Sequence, residues 1–382
     1  MAGSRWRRVA PLVLATMTSQ ALLVVLAPTI AATGREVGAS VAAVGQARTV
    51  TAAVAIAVSV PITARIGAIG VPRLLRTGSV LSVVAVAVVA VAPGLGWFLG
   101  AHVLVGVAFA CQLTAGFAGV TAFAAAERAW AVGQVTGANA LAWIVVNPLA
   151  GGVTDWWSWR LAYAVPGLMG VAALLSARAA VPVAGGPRGF PVRIITGDRS
   201  ARRWVGSELL AYFAWTGLLT FVGAFFIERF GMRESVVGWL LAAAAAAYMV
   251  AATRSAGLVA RFARRRLAAA AGVVMALLLL VLLDLGGLGV GAAAVVFCVV
   301  GLTAGVRTPA TSGLGLDQLP GRAEAMMAVR TGVTQSGYLL GALVGGVMIA
   351  AAGYAALGVV LAVGMVASAL LVLGVRDPQA GR

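Results

Sequence analysis

Five ionisable side chains, Arg48, His102, Glu208, Arg307 and Arg330, stand inside long apolar runs of this 382-residue chain. A charge in such surroundings is costly and marks a functional position by default. Arginine has no neutral form at working pH, so Arg48 and Arg307 must each face protein, water or an anionic partner, and a substrate or gating contact competes with a structural ion pair. Arg330, early in its run, reads as lying near the cytoplasmic interface. Glu208 shares a helix face with Tyr212, Trp215 and Leu219 at steps of four, three and four. An acid followed by aromatics on one face suits a binding wall for a cationic or aromatic solute. As a carboxylate it could also exchange a proton; the competing view is a helix-start acid, favoured by the macrodipole and by interfacial water. His102, the only histidine, is the second candidate for proton coupling because imidazole changes charge near neutral pH. A packed side chain near an exterior helix end is the alternative. Gln20, Gln112 and Gln335 join Arg48, Glu208, Tyr212, Trp215 and Arg307 as polar or aromatic groups expected to face a cavity. Asn139, Trp143, Asn147 and Gly151 recur every four residues, so their polar groups either line that cavity or bond a neighbouring helix.

Other chemistries lack their residues. No Gly-x-x-x-x-Gly-Lys loop cradles a phosphate, and one histidine with few carboxylates supplies neither a metal site nor an activated nucleophile. Cys111 and Cys298 fall far apart inside apolar runs, so they form no disulfide framework or metal-ligand spacing. The chain reads as neither an enzyme nor an ATP-driven machine, and no cofactor is expected.

These residues must be positioned by membrane helices. With 62% hydrophobic and 10% charged residues, and apolar runs of roughly 20 residues that match a ~30 Å hydrocarbon core, the chain is polytopic. Twelve runs are expected to span, at residues 9–32, 41–64, 79–92, 97–123, 131–153, 159–181, 204–227, 236–256, 267–285, 288–314, 325–352 and 354–374. The first, basic and then apolar, resembles a secretory signal but is too long, so it reads as an uncleaved helix. Arginines cluster at alternate gaps: Arg5, Arg7 and Arg8; Arg65, Arg73 and Arg76; Arg188, Arg193, Arg199, Arg202 and Arg203; Arg261, Arg264, Arg265 and Arg266. The intervening gaps are balanced or acidic, with Arg35 beside Glu36, Asp155 near Arg160, Glu228 and Glu234 near Arg229 and Arg233, and Asp284 alone. Because basic residues near span ends stay cytoplasmic, both termini are expected inside. The net charge of +17 and pI near 11.7 would suggest nucleic acid in a soluble protein; divided among loops on one membrane side, they instead explain orientation and attraction to anionic headgroups. Arginine without lysine, beside abundant Ala, Val and Gly, fits a GC-rich bacterial coding bias.

The second half echoes the first. Asn147-Pro148-Leu149-Ala150-Gly151-Gly152 is answered by Gly341-Ala342-Leu343-Val344-Gly345-Gly346 at an offset of about 194, and Gly106 by Gly301 at about 195. The expected organisation is a six-helix bundle over residues 1–181, a cytoplasmic linker over 182–203 and a second bundle over 204–382. Small residues at four-residue spacing in the fifth and eleventh runs, Gly151 and Gly152 among them, allow close helix packing or sliding, and Pro148 should bend its helix.

On these residues the chain resembles the major facilitator superfamily over essentially its whole length, bacterial drug and metabolite efflux members above all. Trp143 to Gly152 is similar to the antiporter signature of the fifth helix, in which a Gly-Pro pair precedes Gly-Gly; Asn147 stands where that signature has glycine. Ser158-Trp159-Arg160 with Pro166-Gly167 resembles the start of the family's sixth helix, and Glu127-Arg128 fits the end of the fourth. The cytoplasmic motif between helices two and three keeps Arg65, Gly70 and Arg73 but has Gly67 in place of the aspartate. His102 precedes Gly106 where an arginine is usual, and the first helix lacks an acid. The resemblance implies an all-α fold of twelve transmembrane helices in two pseudo-symmetric bundles, with helices one, four, seven and ten about a central cavity. It implies a monomeric secondary transporter of the bacterial cytoplasmic membrane, exporting a small amphipathic or aromatic compound by proton antiport. Uptake of an anionic solute by symport is the alternative suggested by Arg48 and Arg307; a membrane sensor or lipid-handling scaffold is the alternative of another class. Single cysteines placed between Arg188 and Arg203 should react with an impermeant thiol reagent only after cells are opened; labelling of intact cells would reverse the topology.

Overall fold

Hydrocarbon offers no hydrogen bonds, so each apolar run must close its own backbone ladder as a helix. The computed structural model describes residues 2–180, 197–283, 287, 289–319 and 323–378; most of the expected linker, and Asp284, lie outside them. Among the described residues there is no β-strand. The helices are α1 (Ala2–Val24), α2 (Leu26–Val37), α3 (Val41–Ile69), α4 (Val71–Ala90), α5 (Leu95–Gly119), α6 (Ala125–Trp156), α7 (Trp159–Ala162), α8 (Ala164–Ser176), α9 (Arg199–Phe230), α10 (Glu234–Arg254), α11 (Ala256–Arg261), α12 (Arg264–Leu283), α13 (Val290–Asp317) and α14 (Ala323–Leu373). Ten helices among the described residues are long and apolar enough to cross a membrane, or eleven crossings when the bent α1 and α2 pair counts as one. Within α14, Gly353 adopts φ 78° and ψ −168°, a conformation that L side chains avoid. It divides that helix into two crossings where the sequence placed them, giving the twelve expected.

Proline explains two further breaks. Pro28 cannot donate to the carbonyl of Val24, and α1 meets α2 there at 41°. Pro166 likewise follows the step from α7 to α8. Pro148 lies within α6, which remains one helix. Several helices run beyond their apolar cores, because a helix need not stop where hydrocarbon does. The expected loop of Arg65, Gly70 and Arg73 is therefore corrected: Arg65 lies in α3 and Arg73 in the first turn of α4, both exposed, and Gly70 at φ 82° makes the turn. Their long stems carry the charge outward from a helical backbone.

The chain clusters into two units, residues 1–189 with 226–242, and residues 190–225 with 243–382. In the first, α5 packs on α1, α3 and α4, and α8 on α1 and α4; in the second, α12 packs on α13 and α14. Polar side chains are turned inward, while Leu168, Leu175, Val295 and Leu370 are exposed as lipid-facing residues should be. Trp97, Trp156, Trp157 and Trp239 are exposed near helix ends, where aromatic belts form.

Backbones meet at glycine. In the first unit a Cβ on Gly106 would come within 2.7 Å of both the Thr51 carbonyl and Val54 of α3; in the second, a Cβ on Gly301 would collide with the carbonyl of Ala244 in α10. The same contact thus recurs about 195 residues later. Gly151 abuts the Glu234 carbonyl, and a Cβ on Gly238 would lie 2.5 Å from the Asn147 carbonyl, which joins α6 to the start of α10 inside the first unit. Asp155 pairs with Arg233 at 3.1 Å beside this contact, and Arg35 with Glu234. Gly152 has only Trp156 of its own helix nearby, so the pair of glycines expected to act together divides, with Gly151 alone at the helix contact.

Gly301→Val should force α13 off α10 and destabilise the detergent-purified protein by about 1–3 kcal/mol. Gly137→Ala, where a Cβ meets nothing within 4 Å, should be neutral or slightly stabilising through helix propensity. Thermal denaturation of the two variants checks both.

Candidate functional site

The helix containing Glu208 starts earlier than its apolar run suggests. Asp198 caps α9: Nα–H of Ser200 and of Ala201 donate to its Oδ1 at 2.8 and 2.9 Å. The Ala201 donor first, and Arg376 at 2.5 Å, hold the Asp198 carboxyl below the usual carboxylate range. The helix-start role is therefore filled by Asp198. Glu208 lies in the third turn and is 1% exposed.

Three helices of the second unit converge on it. Arg307 of α13 donates from Nη1 to Oε1 of Glu208 at 3.1 Å, and from Nη2 to the hydroxyls of Ser207 at 3.3 Å and Ser368 at 3.0 Å. Arg330 of α14 joins them: its Nε stands 3.5 Å from Oε2 of Glu208, and its Nη2 donates to the Tyr212 hydroxyl at 2.9 Å. Oε2 and that Nε are buried and make no hydrogen bond. One carboxylate oxygen is thus satisfied and the other only faces a charge.

Beside this triad is a cavity of about 40 Å³, bordered by Tyr212, Trp215, Tyr248, Arg307 and Thr308 and by the apolar Ala211, Met275, Ala304 and Met365. That space suits one or two waters or a small polar head group. Trp215 stacks on Tyr248 with ring centroids 6.2 Å apart, and Tyr338 meets Tyr212 edge-on at 6.1 Å. Small residues bring the walls together, since Gly305 lies against the Tyr248 backbone and Gly337 against Tyr212. Leu219, expected on the same face, is buried but does not border the cavity.

The first unit uses its polar residues differently. Arg48 is 2% exposed, donates from Nη2 to the Leu23 carbonyl at 2.7 Å beside the α1 to α2 break, and lies 6.0 Å from the Trp143 ring. His102 is packed as the second sequence alternative proposed, with Nδ1 2.7 Å from the Phe98 carbonyl and Phe98 and Tyr163 rings at 4.5 and 6.3 Å. Gln112, expected in a cavity, donates instead to Ser79 and Ser82 of α4 at 3.4 and 3.5 Å, because Gly78 brings α4 against it. Asn147 donates to the Trp143 carbonyl of its own helix at 2.7 Å, while Oδ1 of Asn139 is buried without a hydrogen bond. Gln20 and Gln335 are buried. Of the sequence candidates, Glu208, Tyr212, Trp215 and Arg307 therefore come together. Ser207, Tyr248 and Ser368 were missed; the lone serine in the last apolar run was a usable signal for Ser368. Among the described residues no cluster of His, Cys, Asp and Glu could hold a metal.

Removing one partner of a buried ion pair leaves an uncompensated charge, at a cost of roughly 3–5 kcal/mol. Arg307→Gln should therefore be strongly destabilising in thermal unfolding, and Glu208→Gln combined with Arg307→Gln should recover part of the loss. Strict additivity in that cycle would show that the two side chains do not interact.

The sequence model of the Major Facilitator Superfamily matches residues 12–205 and 204–382. No curated protein sequence matches the chain. Among solved structures, a bacterial homologue of the human lysosomal transporter Spinster, in an inward-facing and occupied conformation, is similar with a TM-score of 0.73 and 15% identity, over 96% of this chain and 94% of that one. A D-xylose-proton symporter is similar with a TM-score of 0.76 and 13% identity, over 98% of each chain. At such identities the likeness shows the fold. The family match spans nearly the whole sequence: the chain belongs to the major facilitator superfamily and is a membrane transporter, not an enzyme, working by secondary active transport with alternating access.

Proposed function

We propose that this transporter couples a proton carried by Glu208 to the movement of a small aromatic or amphipathic compound. One observation carries the reading: the carboxylate is enclosed among the second unit's helices, one oxygen held by Arg307 and the other without a hydrogen bond, beside a cavity walled by Tyr212, Trp215 and Tyr248. A proton taken up by this carboxyl would loosen the hold of both arginines on it.

Two directions are open to such coupling. The antiporter-like Trp143 to Gly152 segment supports export by proton antiport. The arginines on either side of Glu208 favour the second reading, uptake of an anionic solute by symport, because a cation brought to Glu208 would meet two guanidiniums that cannot discharge. The arginine-rich gaps support placement in a bacterial cytoplasmic membrane with both termini inside, the halves over 1–181 and 204–382 acting as a monomer's two bundles.

A thermal-shift screen supplies compounds, since a ligand raises the melting temperature by mass action. In proteoliposomes, a compound found this way should move when a pH gradient is imposed, and the direction of flux relative to the gradient separates antiport from symport. Glu208→Gln mimics the protonated carboxyl; it should abolish proton-driven flux while compounds still bind. Full proton-driven flux in that variant would remove Glu208 from the mechanism and make His102 the next group to test.

A further inference from the structure

We infer that Arg307 and Arg330 bind the carboxylate of an aromatic monocarboxylate, admitted one for one as Glu208 takes up a proton. The inference rests on Glu208 as the proton site and adds what the substrate must be. Three charged side chains meet here, two cationic and one anionic. With Glu208 ionised the cluster carries one net positive charge; protonation raises that to two, and neither guanidinium can relieve it. A monoanion arriving with the proton restores the original charge. The empty, deprotonated cluster and the fully loaded one are then electrically equal, whereas proton alone leaves an excess cation in a low-dielectric interior. Anion with ionised Glu208 sets two carboxylates competing for the same donors. Proton and anion therefore favour one another's binding.

The remaining groups around Glu208 fit the exchange. Tyr212 holds Nη2 of Arg330, and Ser207 and Ser368 hold Nη2 of Arg307, so both guanidiniums stay placed when the carboxyl becomes neutral. Tyr248 is the remaining titratable side chain bordering the cavity. The cavity has room for a carboxylate head group beside Arg307, and the rings of Tyr212, Trp215 and Tyr248 that border it would have to move apart to take an aromatic body between them. One proton entering with one monoanion moves no net charge, which is the symport reading made specific.

Benzoate, phenylacetate and indole-3-acetate serve as probes, with benzamide and benzylamine as neutral and cationic counterparts of the first. Binding to the purified transporter is followed by thermal shift and titration between pH 6 and 8, where the acids are ionised. At least one acid should bind, its Kd falling by up to about tenfold per unit decrease in pH, and the amide and amine should not show this. Arg330→Gln, which leaves Arg307 paired with Glu208, should weaken the acid by at least about tenfold; Glu208→Gln should bind it with the pH dependence gone. In proteoliposomes, uptake should respond to a pH gradient and not to a potassium diffusion potential. Absence of binding by all three acids, or unchanged affinity in Arg330→Gln, overturns the anion site; if Glu208→Gln still abolishes proton-driven flux of another compound, the proton site stands without it. Acid binding whose pH dependence persists in Glu208→Gln overturns both.

Discussion

A bilayer interior solvates neither a backbone amide nor a charge, and the whole arrangement of this chain follows from that constraint. Every crossing is helical, and a carbonyl near a break can serve a buried charge. The break ahead of Pro28 lies beside the Leu23 carbonyl, which takes a hydrogen bond from Arg48. Arginine is the most demanding case, since it cannot shed its proton. Arg307 resolves the difficulty with a carboxylate and two hydroxyls, Arg48 with a carbonyl and an aromatic face.

Without a hydrophobic force between helices in lipid, close packing must supply the cohesion. Glycine does so here by letting one helix rest on the carbonyl row of another, as Gly106 does on α3 and Gly301 on α10. The same approach that holds helices together also positions the chemistry. Gly305 draws α13 onto the backbone of Tyr248, and Gly337 draws α14 onto Tyr212, so that Arg307, Thr308 and two aromatic rings border one space. Packing and site are products of the same small residues.

The twelve crossings were legible because hydrocarbon thickness fixes both length and composition, and even the turn at Gly353 fell between two expected runs. Helix ends were less legible: charges end an apolar run but not a helix, so Arg73 and Glu208 appeared nearer the ends than they are. Which face a polar residue presents was least legible. Glu208, Tyr212 and Trp215 follow from period alone because they share one helix, while Arg307 and Arg330, which bond Glu208 and Tyr212, lie 99 and 118 residues away on other helices. Gln112 was misread because a buried amide can bond a neighbouring helix as readily as line a cavity, and only the approach of Gly78 decides between them.

The second unit contains another buried arginine and acid, which shows what distinguishes a responsive pair from a fastening. Arg264 pairs with Asp377 at 3.1 Å and Asp317 at 2.6 Å, and Asp377 also accepts from Nα–H of Arg265. Both Asp377 oxygens have donors, one arginine faces two acids, and neighbouring Val375 is sunk in an apolar cluster with Trp204. Protonating such an acid would only break contacts, and no anion is called for. At Glu208 the balance is inverted: two arginines face one acid, one oxygen lacks a hydrogen bond, and the guanidiniums have further partners that survive the acid's neutralisation. A surplus of fixed positive charge beside an aromatic cavity is a poor fastening and a good receptor, because the group that would complete it is one that can leave.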